Sequence, residues 1–169
     1  LDDTSESVKL FDLDVYISAL RYETMLIHMG MDGAELTPLQ ELLTFLPSAS
    51  ADDMTAYDLR PATVAQTGAR IMRLMASVAA GDVPENISMP EMLQHGWCPD
   101  DEKSIPILNA ALIVTADHEL NASSFAARVV ASAGATPYGT VIAGLSALQG
   151  VKHGGYTERV EALFNEALW

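Results

Sequence analysis

Two neighbouring segments constrain the fold more than any other part of this chain. From Ala116 to Gly134, and again from Pro137 to Gly150, about half of the side chains are alanine, glycine or serine. Neither segment alternates apolar and polar residues, so neither reads as a half-buried strand. Read as helices, both are narrow. Narrow helices approach their neighbours closely, and dispersion contacts accumulate there. Two in a row point to the centre of a helical assembly or to a subunit interface.

The rest of the chain reads the same way. Leu13, Ile17, Leu20 and the Met25/Leu26 pair recur at near-helical spacing and predict a helix over Phe11 to Met29. Thr37 as cap and Pro38 at the first position predict a second, over Leu36 to Phe45, with a loop at Pro47 to Ala51. A short helix is expected within Asp52 to Leu59. A longer one is expected over Pro61 to Ala80, with Val64, Ile71, Leu74, Met75 and Val78 on its core face and Gly81 as its stop. Met89 to His95 fits one or two turns. The dominant element is a single helix from Ile105 to Ala133. Thr136, Pro137 and Gly150 frame the next. His153 to Tyr156 reads as a tight turn, and Thr157 as the cap of a last helix, Glu158 to Trp169. With no dinucleotide-binding or phosphate-loop glycine motif and no fixed-period repeat, the fold class is all-α.

Charge narrows the partners. The chain has 169 residues and a net charge of -14, with only 9 Lys and Arg. Binding phosphate backbones or an anionic membrane needs a basic surface, so neither nucleic acid nor membrane is an expected partner. No apolar stretch approaches the roughly 20 residues that span a bilayer. The acidic first residues lack the pattern of a secretory leader, so a cytoplasmic location is expected. Cys98 is the one cysteine, which excludes an internal disulfide and a thiolate metal site.

Two histidines stand out. On a continuous helix, His118 shares a face with Ala111, Ala122, Phe125 and Val129. A buried imidazole costs about 1–3 kcal/mol if one nitrogen goes unpaired, so something must bond it: a carbonyl or carboxylate in a structural network, or a ligand at the bottom of a pocket. No metal site is expected, because the His-Glu-x-x-His pattern fails at Ala122. His153 precedes Gly154 and Gly155 and the start of a helix, where free N–H groups and the helix dipole are positive. An imidazole there is expected to be neutral, able to donate a hydrogen bond to a carbonyl oxygen and so stabilise an enolate. The plain alternative is a surface turn with an incidental histidine.

Taken together, the stretch ALIVTADHELNASSFAARVVASAGATPYGTVIAGLSALQGVKHGG resembles the central core of citrate synthases, in order and spacing. The His-Glu-Leu-Asn-Ala-Ser run, the Phe-Ala-Ala-Arg-Val run and the His-Gly-Gly turn are specific as a set. The resemblance is dense over Ile105 to Gly155. It implies an all-α, multi-helical large domain that is part of a helical homodimer, with the small-residue helices in the dimer core. It implies an acyltransferase that condenses acetyl-CoA with oxaloacetate and needs no cofactor beyond the acyl-CoA substrate. His118 and Asn121 would lie on the oxaloacetate side. His153 would donate to the thioester carbonyl, and Lys152, Gly154 and Gly155 would line the CoA side. Residues 1–60 form an N-terminal helical segment on this reading, 61–155 the large-domain core and 156–169 the start of a small-domain helix.

The family pattern is also broken here. Lys152 replaces its usual leucine, and Tyr156 and Thr157 replace Ala-Asn. The family's second catalytic histidine, aspartate base and substrate-binding arginines lie later and have no counterpart in these residues. The chain is therefore expected to be a fragment, inactive alone. Three alternatives are a 2-methylcitrate synthase using propionyl-CoA, a non-catalytic relative that dimerises or binds a metabolite, and a plain helical bundle.

Overall fold

The computed structural model describes residues 36–81, 86–117 and 119–167. The expected helix over Phe11 to Met29 lies outside them. Among the described residues there are seven α-helices, one 3-10 turn and no strand. The all-α expectation holds.

Helix α1, Pro38–Asp52, starts on a capping box: the Thr37 hydroxyl accepts from the Gln40 N–H, and the Gln40 side chain accepts from the Thr37 N–H. It runs past Phe45 and through Pro47, so the expected loop at Pro47 to Ala51 is helix. Burial explains the extension. Leu42, Phe45, Leu46 and Ala49 are all buried, and stopping at Phe45 would pull the last two off the core. The short helix expected within Asp52 to Leu59 is absent. Asp53 makes a turn instead, its carboxylate accepting from the Thr55 N–H and hydroxyl.

Helix α2, Pro61–Ala80, ends at Gly81, whose φ of 80° a side chain would resist. Ile71 and Leu74 are buried as expected, with Met75 and Val78 packed beside them. Val64 is not in the core; it is exposed, and Thr67 is fully buried instead. Helix α3, Met89–Trp97, opens on a capping box between Ser88 and Glu91. It lies so close to α2 that a Cβ on Gly96 would collide with the Ala80 carbonyl oxygen. The Trp97 indole N–H donates to the Ala79 carbonyl at 2.8 Å, satisfying one of the open carbonyls at the end of α2.

The single helix expected over Ile105 to Ala133 is two, α4, Ser104–Thr115, and α5, Ala122–Ser132. Asparagine and aspartate chemistry makes the break. The Asn121 side chain accepts from the Ser124 N–H and starts α5 as its N-cap. Glu119 sits at φ 44°, and its N–H bonds the Asp117 carboxylate. Helix α6, Pro137–Leu148, begins on Thr136 and Pro137 as the sequence predicts. A 3-10 turn, Gly154–Tyr156, then leads into α7, Thr157–Ala167.

One core joins α1, α2 and α6, with Phe45, Leu46, Ile71, Tyr138 and Leu145 at its centre. A polar tie crosses it: the Asp53 carboxylate accepts from the Arg70 guanidinium at 2.7 Å and from the Tyr138 hydroxyl at 3.1 Å. Helix α5 packs along α6, α3 bridges α2 and α4, and α7 touches the 3-10 turn. Helix α4 is different. It is rich in isoleucine, leucine and valine, yet no residue of it is buried; Ile107, Ile113 and Val114 are all more than 60% exposed.

Candidate active site

The α5–α6 hairpin brings Asn121 near His153 through Ser123. Gly134, at φ 78°, ends the turn after α5 and lets the chain reverse. The small residues then let the helices close: a Cβ on Gly144 would stand 3.6 Å from the Ser123 carbonyl oxygen and 3.7 Å from the Ala127 Cβ. The first turn of α5 thereby meets the last turn of α6 and the loop after it. His153 and Ser123, thirty residues apart in sequence, are 2.9 Å apart between Nε2 and Oγ.

The loop that carries His153 is tightly drawn. The His153 N–H donates to the Gly150 carbonyl at 2.8 Å, and the Tyr156 N–H to the His153 carbonyl at 3.2 Å. Gly154 is required by close approach, since a Cβ there would lie 2.5 Å from the Leu148 carbonyl oxygen and 2.9 Å from its side chain. Gly155 is less crowded; its Cβ would stand 3.3 Å from the Gly150 oxygen. Lys152 is exposed in this loop. The expected tight turn over His153 to Tyr156 is present.

Ser123 links His153 to Asn121. Its hydroxyl donates to Asn121 Oδ1 at 2.8 Å, and the same oxygen accepts from the Ser124 N–H at 2.9 Å. A serine has one proton to give. With that proton on Asn121, Ser123 Oγ accepts from an Nε2–H on His153. With it turned to His153, Nε2 is the acceptor and Nδ1 carries the ring proton. Among the described residues no hydrogen bond to Nδ1 is seen.

Asn121, Ser123 and His153 are thus contiguous, with Lys152, Gly154 and Gly155 on the loop beside them. His118 lies outside the described residues. The face expected for it, shared with Ala111, Phe125 and Val129, does not form, because the helix breaks between Thr115 and Ala122. Phe125 and Val129 are half or more exposed. Ser123 was not singled out in the sequence. The signal was there: an asparagine two residues before a serine, at the start of a helix. No group of metal-binding side chains occurs among the described residues, and none of their helices is long and apolar enough to cross a membrane.

Residues 16–168 match the family described as citrate synthase, C-terminal domain. The chain belongs to the citrate synthase family. A curated relative, Citrate synthase 2 of Bacillus subtilis (strain 168), is 44% identical over 62 residues. That stretch is 37% of this chain and 17% of the relative, so the chain spans under a fifth of the length of the citrate synthase it matches. No solved structure matches it. Against the family pattern, the His-Gly-Gly turn and the Asn-Ala-Ser cap are the two pieces that the α5–α6 hairpin joins.

Proposed function

We propose that the protein supplies the histidine-bearing part of a citrate synthase-type active site, condensing an acyl-CoA, acetyl-CoA first, with oxaloacetate. The observation that carries the reading is the bond between His153 and Ser123, continued to Asn121. It fixes the imidazole on rigid helices, as positioned catalysis requires. When Ser123 turns its proton to Nε2, the neutral ring presents Nδ1–H. That N–H donates to the thioester carbonyl as the adjacent carbon loses a proton, and spreads the charge of the enolate. Asn121 and His118 belong to the oxaloacetate side, and Lys152, Gly154 and Gly155 to the CoA side. No bound cofactor enters this scheme. Residues 61–155 would form the large-domain core on this reading, preceded by the helical segment 1–60, with 156–169 opening the small domain.

A homodimer is part of the proposal. The exposed apolar side chains of α4 support it, since a helix apolar on all sides is normally covered. The test is release of free CoA from acetyl-CoA by the protein at its full natural length, dependent on oxaloacetate, with propionyl-CoA run beside it. A His153→Gln variant should lose about a hundredfold or more in kcat. Turnover that His153→Gln leaves intact would sink the proposal. Greater efficiency with propionyl-CoA would assign the protein as a 2-methylcitrate synthase. Residues 1–169 alone are expected to be inactive, because the family's base and arginines are not among them.

A further inference from the structure

We infer that Tyr156, held by Arg159, is a specificity-determining residue whose ring walls the space beside His153 and restricts the thioester there to short acyl chains. The inference rests on the function proposed above and adds which substrates it admits.

Three observations carry it. The Tyr156 N–H bonds the His153 carbonyl at 3.2 Å, closing a turn of three residues. His153 is thus the residue on which the 3-10 turn Gly154–Tyr156 opens, and Tyr156 stands one short turn beyond it. Between them stand only Gly154 and Gly155, which put no side chain in the way. The ring is also restrained: the Arg159 guanidinium carbon lies 5.3 Å from its centroid, within the range of about 6 Å over which a cation is attracted to an aromatic face. Finally, Tyr156 as a residue is 51% exposed, so it is not committed to the core. An acyl chain lengthened beside His153 would have to displace a ring that Arg159 holds.

Steady-state turnover with oxaloacetate tests this in the protein at its full natural length. The quantity to read is kcat/KM for butanoyl-CoA divided by that for acetyl-CoA. Tyr156→Ala should raise this ratio about tenfold or more, the scale on which a pocket discriminates methylene groups. Tyr156→Phe keeps the ring and should keep the ratio. Arg159→Gln frees the ring and should shift the ratio in the same direction by less. A ratio in Tyr156→Ala within about twofold of the unaltered protein, with acetyl-CoA still turned over, overturns the inference. If the unaltered protein turns over neither thioester, the proposed function fails, and the wall is then judged by binding alone. The same measurement decides if Tyr156→Ala loses all turnover. Calorimetry with the unreactive thioethers S-ethyl-CoA and S-butyl-CoA should show Tyr156→Ala, or Arg159→Gln, gaining selectively for the butyl compound. Equal changes for the two, or no binding of either, overturn it.

Discussion

Ser123 has one proton and two neighbours able to take it, Asn121 Oδ1 and His153 Nε2. Whichever accepts it decides which nitrogen of His153 carries the ring hydrogen. Ser123→Ala removes that choice and leaves the imidazole unanchored. We expect kcat to fall about tenfold to a hundredfold with KM little changed, because a misoriented donor harms the transition state more than binding. Comparing kcat and KM in the two proteins checks this. At Gly154 the concern is space. A methyl group there meets the backbone oxygen of Leu148 first and its side chain just behind. Gly154→Ala should cost about 1–3 kcal/mol, seen as a lower urea midpoint.

Helix ends decide most of what happens at the next scale. Asn121 both caps α5 and receives the Ser123 proton. Asn121→Ala should therefore cost about 1 kcal/mol of stability and lower turnover, while a serine at 121 should restore much of the stability and less of the turnover. At the start of α3, hydrogen bonds from the Ser88 hydroxyl and N–H lower the Glu91 carboxyl below its ordinary range. A carboxyl lowered on folding stabilises the fold above its unfolded pKa, and that gain is lost as pH falls through the folded value. Glu91→Gln should therefore be the less stable form at neutral pH, with the gap in urea midpoint closing below about pH 4. Ends marked by one strong residue were legible in the sequence: Thr37 with Pro38, Thr136 with Pro137, Gly81. The break at 116–121 was not, because no glycine or proline marks it and only the Asp117 and Asn121 side chains, by turning back to the backbone, declare a new helix. Pro47 misled in the other direction. A proline usually ends a helix, yet burial of Leu46 and Ala49 carries α1 through it.

The described part of the molecule is held by one core and one polar tie across it. Arg70 and Asp53 are largely buried, their side chains 20% and 9% exposed, and Tyr138 joins them from α6. Arg70→Ala would leave the Asp53 carboxylate without its cation but still bonded to Thr55 and Tyr138, and we expect a loss of about 1–3 kcal/mol, measured by thermal or urea unfolding. Tyr138→Phe removes one bond and should cost about 1 kcal/mol. Such long-range ties are invisible in sequence, since nothing in the local pattern pairs residue 53 with residue 138. The contiguity of Asn121 and His153 was legible only through family resemblance; spacing alone does not reveal that a hairpin will fold them together. Helix α4 has one more consequence. Ile107, Ile113 and Val114 are already largely in water in the folded chain, so melting the helix wets little new hydrocarbon. The isolated chain should therefore unfold with a heat-capacity increment below the usual ~12–15 cal/mol/K per residue, giving a flatter stability curve than its length would suggest.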